Sequence, residues 1–256
     1  MRRAFTILVS CVLVASVVFA QGSNPDEKKN DAKKLFNEGN ALYKSGNYTA
    51  AADKYKSALA LDEDYAYYYG LGLCYKNGKQ YSDAVSALES SAKLKPDFEG
   101  TYNALGGVYL IQGQYDKAID AFKTALKYNP KLSPSLKGIT EAYAGKGQQL
   151  YDQGKLSEAG DLVDEALQQE SKNAKLYLLA ARIYNKLEHP EKALDAANEA
   201  LKLKRGRSKG AEYFEIGIAH KKLKEFAAAR RAFNEARKDP VYSRNAQYEL
   251  DGLKGK

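Results

Sequence analysis

Apolar residues recur three and four positions apart through most of the chain, in stretches of roughly a dozen residues broken by short turns that carry Gly or Asn. One such pair is especially clear. Tyr102, Leu105, Gly106 and Tyr109 form a first stripe, a Gln-Gly-Gln turn follows, and Ala118, Phe122 and Ala125 form a second stripe closed by Pro130. The pattern predicts two helices joined by a tight turn. The same phrase overlays at five other places, so that six anchoring alanines, Ala51, Ala84, Ala118, Ala159, Ala193 and Ala229, lie 33, 34, 41, 34 and 36 residues apart. A helix pair patterned this way cannot bury both apolar faces alone, so neighbouring pairs must stack. The expectation is an all-α chain of about six helix-turn-helix units, at about 32–64, 65–98, 99–132, 133–173, 174–209 and 210–243. A polar linker is expected over 21–31, and a capping helix with a basic tail over 244–256.

These units resemble tetratricopeptide repeats. The family pattern runs aromatic, Leu-Gly, Tyr, Ala, aromatic, Ala and a closing Pro, and the third unit matches it with Tyr102 in place of the usual Trp. The second unit keeps Tyr68, Leu71-Gly72, Tyr75, Ala84 and Pro96 but has Leu88 and Ser91 at the later aromatic and Ala positions. The fourth is the most degenerate, and its seven extra residues amount to about two helical turns, which predicts a lengthened first helix from Pro134 toward Gln153. The resemblance implies a right-handed superhelical solenoid whose concave wall is lined by the first helix of each unit.

On that frame the run Tyr65-Ala-Tyr-Tyr-Tyr-Gly-Leu-Gly divides its tyrosines around one helix. Tyr68 is expected at the buried packing position, Tyr69 toward the groove, and Tyr65 and Tyr67 at the junction with the first unit. The wall implied by the resemblance comprises Phe36, Asn40 and Tyr43, then Tyr69, Leu73 and Lys76, then Asn103 and Leu110. It continues with Tyr151 from the fourth unit, Leu178, Arg182 and Asn185 from the fifth, and Phe214, Ile218 and Lys221 from the sixth. So many apolar and aromatic side chains on that face point to a protein or peptide ligand. The clamp with which chaperone-binding members of the family grip a terminal carboxylate is absent. Asn40 matches it, but Phe36, Gly70, Gly100 and Ala104 stand at its other positions.

The amino terminus breaks the helical pattern. After Met1-Arg2-Arg3, the run Ala4–Ala20 is uncharged and apolar and ends in small residues before a polar stretch, which reads as a secretory signal peptide. An uncleaved membrane anchor and a lipoprotein box ending at Cys11 are the alternatives. Removal of residues 1–20 leaves Cys74 as the one cysteine, read as a small buried thiol. The expected location is therefore periplasmic or extracellular, with a membrane-anchored form as the variant.

Charge and candidate chemistry change the picture little. The net charge of +8 resides in residues 201–256, which hold 15 Lys and Arg against 7 Asp and Glu. Its densest part is Lys202, Lys204, Arg205, Arg207 and Lys209, a candidate contact for an acidic envelope surface or polymer. Nucleic acid fits poorly with an export signal. No catalytic constellation is visible: His189 and His220 fall in different units, and Gly72–Gln80 lacks both the spacing and the hydroxyl of a phosphate loop. No cofactor or metal is expected. The reading is a non-catalytic interaction scaffold of the bacterial cell envelope, with a membrane-anchored assembly factor or an accessory subunit of a cell-wall enzyme as alternatives.

Overall fold

The computed structural model describes residues 24–169, 172–206 and 208–255. The apolar run at 4–20, Cys11 and Arg207 lie outside them. Thirteen helices and no strands occur among the described residues. They run as antiparallel pairs: α1 (Pro25–Lys44) with α2 (Tyr48–Leu59), α3 (Tyr65–Asn77) with α4 (Tyr81–Leu94), and α5 (Glu99–Ile111) with α6 (Tyr115–Tyr128). Then follow α7 (Ser133–Asp152) with α8 (Leu156–Gln169), α9 (Ala174–Lys186) with α10 (Pro190–Leu203), and α11 (Gly210–Lys222) with α12 (Phe226–Ala236). A last helix, α13 (Ser243–Gly252), packs on α12. Each pair contacts the next, so the chain is a superhelical solenoid.

Local chemistry sets the helix ends. The Asp64 carboxylate caps α3 by accepting from the Ala66 amide at 2.7 Å, and Asn173 caps α9 by accepting from the Lys175 and Leu176 amides. The turn inside each pair needs one residue in the left-handed region. Gly46, Gly113 and Gly154 supply it in three pairs, while Lys79, Glu188 and Lys224 accept φ near +60° in the others. The first helix starts inside the stretch expected to be a linker. Asn24 at its cap, Pro25 in its first turn, and Asp26 and Glu27 behind it form a complete start signal seven residues before the expected boundary at 32. The long α7 spans 20 residues with Pro134 in its first turn.

The anchoring alanines, Ala51, Ala84, Ala118, Ala159, Ala193 and Ala229, are all fully buried. Above them, rings plug the space between successive first helices. Tyr55 lies against both Gly39 and Gly70, where a Cβ would come within 2.8 Å and 2.7 Å of the ring. Phe122 does the same between Gly106 and Gly138. Burial of such a ring contributes on the order of 2–3 kcal/mol. In the second pair Leu88 replaces the ring and fills the space over Gly72. Ser91 replaces the later Ala and shares a 2.8 Å hydrogen bond with Thr101 across the junction to the third pair, both fully buried. Cys74 is buried beside Tyr55, Leu71 and Ala87, and burial pushes its thiol up to about 12.

The tyrosine run differs from the sequence expectation by one residue. Tyr67 is the buried ring (4% exposed), packed against Ala32, Ala58 and the Phe36 ring. Tyr68 is only half-buried, and its hydroxyl donates to Glu63 at 3.2 Å. The same offset recurs at Thr101, Leu176 and Glu212, each five positions before the small residue that meets the second helix (Gly106, Ala181 and Gly217). This face meets the second helix of the preceding pair, and it is the junction itself that excludes water.

Candidate functional site

The concave wall is built from α1, α3, α5, α7, α9 and α11, and it has two different halves. At the amino-terminal end, α1 contributes Phe36, Asn40 and Tyr43, α3 contributes Tyr65, Tyr69 and Leu73, and the start of α5 is approached by Phe98. Together with Tyr55 beneath, these residues enclose a hollow of about 270 Å³. Tyr65 and Tyr69 both stand edge-on to Phe98, with ring centroids 5.2 Å and 5.1 Å away. Such edge-to-face pairs hold rings rigidly. The polar groups of the hollow are largely satisfied: Tyr55 donates to Asn40 Oδ1 at 2.8 Å, and the Tyr43 hydroxyl accepts from Asn77 at 2.8 Å. Lys95 lies over the Tyr65 ring at 4.5 Å. What remains facing outward is ring surface.

Lys76 follows Leu73 on the same face of α3 and is half-buried. It has no hydrogen-bond or ion-pair partner among the described residues, and burial lowers its ammonium below the ordinary value. On the next helix, Asn103 accepts from Ser135 at 2.9 Å and Leu110 packs into the central core. Between them is Gly107. A Cβ there would meet nothing within 4 Å, so the backbone of α5 is bare toward the concavity.

The carboxy-terminal half is already occupied. Tyr242, the residue before α13, packs its ring 5.6 Å from Phe214, and its hydroxyl accepts from Arg182 Nη2 at 2.9 Å. Glu249 of α13 pairs with Lys221. Ile218 and Phe214 pack in one cluster with Phe233, Ala246 and Leu253. Arg182 also reaches Glu215 (Nε to Oε1, 3.6 Å), and Asn185 donates to the same carboxylate at 2.9 Å. Burial pushes the Glu215 carboxyl up, with Asn185 and Arg182 pulling it back. Of the expected groove residues, Asn185 (5% exposed) is therefore interior, because the α9–α11 junction takes it. Phe214, Ile218 and Lys221 lie under or against α13 rather than facing an empty groove. Tyr151 packs into the central core. Leu178 and Arg182 line an open hollow of mixed polar and apolar character with Glu141, Ala144, Gln148 and Lys175.

The expected basic patch is likewise divided. Lys204 turns inward to Glu212, whose side chain is 1% exposed, at 3.1 Å. It neutralises a buried charge, so it is not free for an outside partner. Lys202 pairs with Glu199 and lines a surface hollow with Arg205, Lys172 and Lys175. Lys209 stands just before α11, without a side-chain capping bond, and lines a surface hollow with Asp239, which accepts from Ser208. The inward ion pair had no signal in the sequence beyond an acid at a position that is Tyr, Thr or Leu in other units.

Family models of the tetratricopeptide repeat match residues 101–132 and, for a second model, residues 36–99 and 144–211. The chain belongs to the tetratricopeptide-repeat family. A curated relative is the Photosystem I assembly protein Ycf3 of Acaryochloris marina, 35% identical over 83 residues, which are 30% of this chain and 50% of that protein. The chain thus spans about half the length of that relative. Among solved structures, YrrB, titled a TPR protein with an unusual peptide-binding site, is 26% identical with a TM-score of 0.53 over 70% of this chain and 89% of its own. A MamA structure (AMB-1) shares the fold at 23% identity, with a TM-score of 0.52 over 69% of this chain and 93% of its own.

Proposed function

We propose that the protein is a non-catalytic scaffold of the bacterial cell envelope that captures a segment of another protein on the amino-terminal half of its concave wall. The observation that carries this reading is the aromatic hollow between α1, α3 and Phe98, which no element among the described residues covers. Rigid rings with their polar groups largely satisfied gain from burying an apolar side chain and lose little entropy in doing so. The similarity to YrrB, whose title names a peptide-binding site, supports a peptide ligand. Ycf3, by its name an assembly protein, supports an assembly role as the second reading. Export rests on the apolar run Ala4–Ala20, and an amino-terminal sequence beginning at Gln21 in the mature protein is the expected result.

Site-directed photocrosslinking tests the location. A crosslinker at Leu73 is expected to join the chain to a partner in its native host, and one at Ile218 is not. Tyr69→Ala should abolish the Leu73 adduct while its circular dichroism stays that of the wild type. Equal adducts from both positions, or an adduct indifferent to Tyr69→Ala, would sink the reading.

A further inference from the structure

We infer that the amino-terminal wall reads a bipartite peptide: one bulky apolar side chain in the aromatic hollow and one side-chain carboxylate at Lys76. The inference rests on the scaffold reading above and adds to it the chemistry of the ligand. Tyr69, Leu73 and Lys76 fall four and three positions apart, so they form one line along α3. The first two line the hollow, and Lys76 lies one helical turn beyond Leu73 on the same face. Ammonium groups elsewhere in the structure show what this one lacks. Lys54 meets Glu38, Lys146 meets Asp116 and Lys222 meets Glu188, whereas Lys76 is half-buried with no acid beside it. A cation desolvated without a partner is unfavourable, and a carboxylate brought by a ligand would recover that loss. Lys95, beside the hollow, is engaged by the Tyr65 and Phe98 rings.

The spacing of the two elements follows from the helix. Leu73 and Lys76 are about 4.5 Å apart along the α3 axis. A lysine side chain adds roughly another 6 Å of reach, so an extended ligand places anchor and carboxylate two to four residues apart. Beyond them the bare backbone at Gly107 leaves room for the ligand main chain to continue across α5.

Fluorescence anisotropy on the full chain tests this with three labelled Gly/Ser peptides. One carries Phe and, three residues on, Glu; in the second Gln replaces Glu; in the third Ser replaces Phe. The Phe/Glu peptide is expected to bind about tenfold tighter than the Phe/Gln peptide, the worth of one charge-assisted contact. Lys76→Gln should erase that preference without weakening the Phe/Gln peptide, and Lys33→Gln on an exposed face of α1 should leave it intact. A Glu preference that survives Lys76→Gln, or falls equally with Lys33→Gln, overturns the inference and leaves the scaffold reading standing. Loss of binding by none of the Phe→Ser peptide and Tyr69→Ala, or no saturable binding of the Phe/Glu peptide at all, overturns both.

Discussion

In the first two helical pairs the concave wall carries Phe36, Tyr43, Tyr65 and Tyr69, and no element among the described residues is laid over them. In the last two pairs the same face holds Arg182, Phe214 and Lys221, and α13 with the preceding Tyr242 covers or grips each of them. The repeat is the same, and the register is the same. The difference is that the sixth pair is followed, among the described residues, by the single helix α13 rather than by a further pair, and its apolar junction face still needs a successor to bury it. Here the capping segment serves as that successor and consumes wall that would otherwise face a ligand. Position within a repeat therefore fixes which way a side chain points, while position along the array decides whether it is available.

The largest expected effects test the packing that holds the open half in place. Tyr67→Ala should cost about 3–5 kcal/mol, since it empties a buried site between the first two pairs. Tyr68→Ala should cost clearly less, about 1–2 kcal/mol, as a half-buried ring and one exposed hydrogen bond are lost. Equilibrium denaturation measures both, and a reversed order would mean the junction faces are misassigned. Next, Tyr242→Ala removes a ring contact and a hydrogen bond at the closed half and should cost about 1–3 kcal/mol. Hydrogen exchange should then quicken in α11 and α13 but not in α1 or α3; a uniform change would argue that the halves are not separable.

A smaller effect is a pH dependence peculiar to the closed half. The Glu215 carboxyl is raised above its ordinary 4.5 mainly by burial. The folded chain thus keeps a proton that the unfolded chain releases as pH passes upward through 4.5. This contribution favours folding at low pH and is lost as pH rises from there through the raised folded value. Glu215→Gln should flatten stability across that window, and an unchanged slope would assign it to other groups. The smallest effect belongs to the open half. Gly107→Ala should stabilise the chain by about 0.5–1 kcal/mol, because a mid-helix glycine gives way to alanine with nothing to clash. A loss of stability would show that the bare backbone is not open.

The fold was readable because its signals repeat. Ala51, Ala84 and Ala118 sit where two helices touch, and only a small side chain fits there in each unit. The site was readable in direction only. From Tyr69, Leu73 and Lys76 the helical period gives a shared face, and the structure places them on one. Four tyrosines within five positions, however, sample every face of a helix at about 100° per residue, so an error of one position moved the buried ring from Tyr67 to Tyr68. Occupation by Tyr242 could not be read, since Arg182 and Tyr242 are 60 positions apart and no local spacing joins them. Nor could the inward turn of Lys204, which depends on a single buried Glu212.

The hydroxyl pair of Ser91 and Thr101 has a consequence for modularity. At two of the other junctions the corresponding buried residues are Tyr67 beside Ala58 and Leu176 in the central core. Set Leu176's unit behind Ser91 and a hydroxyl is sealed away from water with no mate; set Thr101's unit behind Ala58 and the same happens in reverse. Although the six units share one plan, the second and third are keyed to each other. A rearranged or duplicated copy of this array would have to carry that pair together.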